Sequence, residues 1–92
     1  MPVFSIITAK GDTTELLPRY DALMERLPKE VDVAPLAHCC IPVAEGFRVF
    51  DIWADEDTFR RFATSPEFAA LRLETGLPEP VVETYPTHRI GW

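Results

Sequence analysis

Ninety-two residues, 47% of them hydrophobic and 26% charged, are enough for a single domain spanning 1–92 and no more. Nine Lys and Arg against fifteen Asp and Glu leave a net charge of −6. With only Arg60 and Arg61 adjacent, no basic stripe exists to meet phosphates, which excludes nucleic acid and anionic membrane surfaces as partners. No apolar run nears the ~18 residues of a membrane span, and no charged n-region precedes an apolar stretch, so a soluble cytoplasmic protein is expected.

Val3 to Ala9 is short and rich in β-branched residues, and it stops at Lys10-Gly11, which marks a first strand. Asp12-Thr13-Thr14-Glu15 has capping-box spacing. Leu16, Leu17, Tyr20, Leu23, Met24 and Leu27 then form one apolar helical stripe, with Pro18 tolerated in the first turn and Pro28 expected to end the helix. Leu36 to Ala44 and Phe47 to Ala54 read as a hairpin joined at Glu45-Gly46. The adjacent Cys39 and Cys40 would need a strained ring to form a disulfide and read as small buried hydrophobes.

Asp55-Glu56-Asp57-Thr58 puts acids on a helix N-terminus, and Phe59, Phe62 and Ala63 form that helix's inner side. Ser65-Pro66-Glu67 starts another helical piece, carried by Phe68, Ala69 and Leu71 and ended by Gly76. Pro78 and Pro80 lead into a last strand, Val81 to Ile90.

The order β-α-β-β-α-β, with its second helix broken in two, predicts an α+β, ferredoxin-like domain: a four-stranded antiparallel sheet, order 4-1-3-2, with helices on one face. Proline offers an independent check, because it removes a ladder donor and belongs at sheet edges. Pro42 and Pro86 lie in the second and fourth strands, which are the edges of that order.

The helix-free face must be covered or wet. In the third strand Phe47, Val49, Asp51 and Trp53 alternate with Arg48, Phe50 and Ile52, so both faces carry large apolar groups. In the second, Ala37, Cys39, Ile41 and Val43 are wholly apolar and are expected under the helices, while Leu36, His38, Cys40 and Pro42 face the other way. Since a chain this short buries only about 60–65% of its unfolded surface, a homodimer with its two sheets enclosing a partly polar cavity is expected.

Residues 46–62, Gly-Phe-Arg-Val-Phe-Asp-Ile-Trp-Ala-Asp-Glu-Asp-Thr-Phe-Arg-Arg-Phe, and the opening Ser65-Pro66-Glu67-Phe68 of the next helix resemble dimeric α/β-barrel proteins. The branch they resemble most is the antibiotic-biosynthesis-monooxygenase-like one. That superfamily includes cofactor-free oxygenases of aromatic polyketides, polyketide cyclases, lactone isomerases, heme-degrading enzymes and members without known activity. The resemblance implies that Trp53 lines a pocket. The register of the heme-degrading branch's histidine ligand falls on Arg72, which cannot bind iron, and this argues against heme; the aromatic at Phe62 is retained.

His38, mid-strand among apolar neighbours, is the strongest candidate for a general base. Asp51 would orient it, or pair with Arg48 instead. Trp53 could stack on an aromatic substrate with its indole N–H as donor. Val49 and Cys40 share the expected cavity face, and Tyr85 and His88 could reach it from the last strand. Two histidines fifty positions apart make no metal motif, and four dispersed glycines make no phosphate loop, so no cofactor or metal is expected. The expected partner is a small hydrophobic metabolite, handled by a cofactor-independent monooxygenase, cyclase or isomerase; the alternative is a non-catalytic ligand-binding or regulatory dimer.

Overall fold

The computed structural model describes residues 1–92. Its elements are β1 (Val3–Lys10), α1 (Thr13–Glu30), β2 (Ala37–Val43), β3 (Gly46–Trp53), α2 (Glu56–Ala63), α3 (Pro66–Thr75) and β4 (Val81–Pro86). The strands form one antiparallel sheet in the order β2-β3-β1-β4, which is the ferredoxin-like order, with the proline-bearing β2 and β4 at its edges.

Local chemistry explains most boundaries. The Asp12 carboxylate accepts from Thr14 N–H at 2.9 Å, Asp55 from Thr58 N–H at 2.7 Å, and the Ser65 hydroxyl from Phe68 N–H at 3.2 Å. Gly76 closes α3 in the left-handed region at φ 77°. Two ends differ from the sequence expectation. Helix α1 continues through Pro28 to Glu30, because a proline this near the C-terminus forfeits one ladder bond and Val31 N–H still closes onto Leu27 carbonyl at 2.9 Å. Strand β4 stops at Pro86 rather than Ile90: Pro86 already faces Val3, the first residue of β1, and only Thr87 N–H finds a further carbonyl, that of Pro2.

Thr13 ties the start of α1 to the β2–β3 hairpin. Its hydroxyl donates to Val43 carbonyl at 2.7 Å and accepts from Gly46 N–H at 2.8 Å. Gly46 must be glycine there, since its φ is 120° and a Cβ would sit 1.9 Å from the Ala9 carbonyl oxygen.

The core lies between the sheet and the helices. Leu16 and Leu23 of α1, Phe47 and Val49 of β3 and Leu71 of α3 form its larger cluster; Val31, Trp53 and Phe62 form a smaller one. Only 14 of the 92 residues are buried, a thin interior for an isolated chain.

Register settles the faces. His38 stands opposite Asp51 and Cys40 opposite Val49. Phe47, Val49, Asp51 and Trp53 are all buried beneath the helices, so His38 and Cys40 share that side. This reverses the expected orientation of β2: Cys39 and Ile41 are on the helix-free face with Phe4, Ile6, Phe50 and Ile52. Apolar character misassigns this strand because β2 is an edge, where neither face is fully covered.

Candidate functional site

A cavity of about 370 Å³ lies between the sheet and the helices of the single chain. The expected location between two facing sheets is therefore corrected: the pocket needs only one protomer to exist. Its walls are mainly apolar, from Leu23, Met24 and Leu27 of α1, Val49 of β3 and Phe62 and Phe68 of the two short helices. Residues 31–35 and the prolines 78 and 80 line it from the loops.

One connected polar chain enters this apolar space. Asp51, buried beneath the helices, approaches His38 Nδ1 with its Oδ1 at 2.5 Å. The other ring nitrogen, Nε2, is hydrogen-bonded to the Tyr20 hydroxyl. A carboxylate only accepts, so Nδ1 carries the hydrogen toward Asp51, and Nε2 of the neutral ring accepts from Tyr20 O–H. The Asp51 carboxylate thus fixes both the tautomer and the ring's orientation, and it lies where the charge of an imidazolium would be balanced. Arg48, the other possible partner of Asp51, is on the opposite face of the sheet, with its guanidinium 5.3 Å from the Phe50 ring centre.

Tyr20 arrives by the geometry of α1. With Leu16, Leu23 and Leu27 it forms the stripe facing the sheet, and its ring centre is 5.1 Å from that of Phe47. Burial, reinforced by the neighbouring Cys40 thiol and the Asp51 charge, pushes the Tyr20 phenol well above its usual range. Burial also raises the Cys40 thiol. Both groups are therefore protonated donors at neutral pH, and Cys40 has none of the activation a nucleophile requires.

Trp53 is packed between Phe59 and Phe62, with ring centres 5.7 and 5.0 Å away. It contributes to the wall, but its indole N–H is committed to Ser5 Oγ at 2.9 Å and is not available to a ligand. Cys40 packs beside Tyr20 behind the lining rather than within it. Tyr85, paired with Phe4, points to the helix-free face, where its hydroxyl donates to Glu83 at 2.7 Å. His88 lies past the end of β4 and is exposed. Neither reaches the cavity: register turns Tyr85 to the other face, and the chain leaves the sheet at Pro86 before His88.

Tyr20 and Arg72 are among the cavity residues that escaped the sequence reading. Tyr20 looked like one more apolar position of its stripe, although it is the only member with a polar tip. Arg72, considered only as a non-ligand of iron, lines the cavity from α3. No three His, Cys, Asp or Glu side chains are grouped to hold a metal ion, and no helix is long and apolar enough to cross a membrane.

No family model and no curated protein matches the sequence. Solved structures do match in shape. SnoaB, a cofactor-independent oxygenase from Streptomyces nogalater, superposes with TM-score 0.65 at 14% identity, over 97% of this chain and 93% of that one. Rv0793 from Mycobacterium tuberculosis gives 0.71 at 16% identity, over the whole of both chains. NE2512 from Nitrosomonas europaea, a protein of unknown function, gives 0.71 at 19%, covering 99% and 93%. The fold is that of the antibiotic-biosynthesis-monooxygenase-like proteins. Among these ferredoxin-like structures the present chain is similar in architecture across nearly its full length, while at this identity its side chains must be judged on their own chemistry.

Proposed function

We propose that this protein is a cofactor-independent enzyme that removes a proton from a hydrophobic, aromatic or polyketide-like metabolite held between its sheet and helices. The observation that carries this reading is the Asp51–His38–Tyr20 chain opening on a mainly apolar cavity. His38 takes the proton, Asp51 holds the imidazole and balances its charge, and Tyr20 occupies Nε2 until substrate displaces it or relays the proton through it. Val49 and Trp53 form wall against the substrate's rings. The resulting carbanion either meets dioxygen, giving a monooxygenase, or attacks within the molecule, giving a cyclase or isomerase. Likeness in fold to SnoaB, a cofactor-independent oxygenase, supports the general kind.

The working unit is a cytoplasmic homodimer that covers the helix-free face. Phe4, Ile6, Phe50 and Ile52 lie together there, and a thin core gains from hiding them.

A non-catalytic ligand-binding dimer is the second reading, favoured by one observation: both nitrogens of His38 already have partners within the chain. Anthrone, an aromatic carbon acid, separates the two. Hydrogen–deuterium exchange at its acidic methylene, followed by NMR under argon, reads proton abstraction alone, and oxygen uptake in air reads the later step. An enzyme accelerates exchange, and His38→Ala and Asp51→Asn each lose most of that acceleration while still binding. If the wild-type protein binds anthrone without accelerating exchange, the catalytic reading fails and the binder stands.

A further inference from the structure

We infer that Arg72 makes this cavity a site for anions: its ligand is an apolar, ring-containing molecule bearing a negatively charged oxygen, which the guanidinium holds. This deepens the reading above and rests on the cavity being the ligand site.

The charge inventory of the cavity carries the argument. Its titratable lining groups are Tyr20, Asp32, His38, Asp51 and Arg72. Asp51 is committed to His38, Tyr20 is held neutral, and Asp32 is exposed in the loop after α1. Arg72 is the only permanent cation, and no carboxylate lies within salt-bridge distance of it. The nearby acid of α3, Glu74, is taken by Arg26 at 2.7 Å. Arg72 is partly buried and lines a mainly apolar space without a counter-ion, and an anionic ligand would supply one.

The guanidinium is also held in place before any ligand arrives. Arg72 Nη1 donates to Leu77 carbonyl at 3.1 Å, while Leu77 N–H bonds back to Arg72 carbonyl at 3.1 Å. Both side chain and backbone of Arg72 are thus anchored to the residue that follows the helix cap. Only one of its five N–H groups is consumed within the chain, so Nε and Nη2 remain to grip an oxygen pair in the bidentate way that lysine cannot. In a protein of net charge −6, the bulk field repels anions, so selectivity for one must come from such a local cation.

The test uses 2-naphthoate and its uncharged counterpart 2-naphthamide, which share a ring system and differ in charge. Titration calorimetry on the wild-type protein should show naphthoate binding at least tenfold more tightly than naphthamide. Arg72→Gln should abolish that preference, leaving naphthamide affinity within about twofold, and Arg72→Lys should retain part of it. Because Arg72→Gln also loses the Leu77 link, the lysine variant is decisive if the glutamine variant does not fold. Equal affinities in the wild type, no binding of naphthoate at millimolar concentration, or a full preference surviving in either variant would overturn the inference. Failure of the catalytic reading looks different: the naphthoate preference would persist, yet anthrone exchange would not be accelerated.

Discussion

Asp51 and His38 form an asymmetric pair, with 4% of the acid side chain exposed against 32% of the imidazole. The carboxylate is the foundation and the ring is the part that leans into the cavity. Removing the ring strands a buried carboxylate, whereas neutralising the acid leaves a partly exposed ring that water can serve. His38→Ala should therefore cost about 1–3 kcal/mol of folding stability, and Asp51→Asn less. The double variant should recover part of the His38→Ala loss. Urea denaturation of the four proteins decides it, and a His38→Ala protein as stable as wild type would show that the pair does not hold the site together.

Alkaline titration probes the same network from Tyr20. Burial raises the Tyr20 phenol, and a hydrogen bond to Glu83 raises that of Tyr85, the only other tyrosine. A phenol with a raised folded-state pKa contributes its stability in full below the unfolded value, near pH 10, and loses it as pH climbs through the folded one. Tyrosinate absorbance of the folded protein should thus lag behind that of the urea-unfolded chain. Tyr20→Phe should remove the latest-titrating component and lessen the fall in stability above about pH 10. An ordinary, single tyrosine titration in the folded state would contradict the buried placement of the hydroxyl.

The acid limb has the opposite sign. The Thr14 hydroxyl and N–H hold Asp12 below its usual range, and the Thr58 N–H and hydroxyl do the same for Asp55. Their contributions are present above the unfolded carboxylate value of about 3.9 and disappear as pH drops through the lower folded values. Asp12→Ala and Asp55→Ala should lower the urea midpoint at pH 7 and show a shallower acid decline than wild type. Equal wild-type and variant midpoints at pH 7 would mean the caps contribute nothing.

Ser5 has no exposure and accepts the Trp53 indole hydrogen at 2.9 Å. Ser5→Ala leaves that buried donor without a partner and should cost about 1–3 kcal/mol by urea denaturation. Near-ultraviolet circular dichroism should change with it, since the indole loses its tether. Retention of both signals would show that another acceptor substitutes.

The helix-free face gives a further expectation. Sedimentation of the wild-type chain should return a particle of twice 10.4 kDa, and Ile52→Glu should return one chain while leaving naphthoate binding intact, because Ile52 is turned away from the cavity. A wild-type monomer would remove the dimer from the proposal but leave the cavity untouched.

The elements were legible because their causes are local. Asp55 and Ser65 cap helices whichever strands lie beneath them, and Pro42 and Pro86 announce edges from their missing donors alone. The pairing of His38 with Asp51 was also readable, as one of two choices, from alternation along neighbouring strands. What escaped was set by distant contacts. Which face of β2 meets the helices depends on the register that puts His38 opposite Asp51, not on the composition of β2. Tyr20 belongs to the site because eighteen positions later a histidine meets its hydroxyl, a contact no stripe reveals. Tyr85 needed the register that pairs it with Phe4, and His88 lies beyond Pro86, where the ladder that parity relies on has ended.

Those edge prolines have a bearing beyond topology. Thr87 N–H bonds inward to Pro2, so by alternation Pro86 turns its hydrogen-free nitrogen outward, and the β2 rim is interrupted by Pro42 in the same element class. A stray strand seeking to zip onto either rim meets a gap in the row of donors it needs. Growth into open-ended fibres through either rim is thereby discouraged.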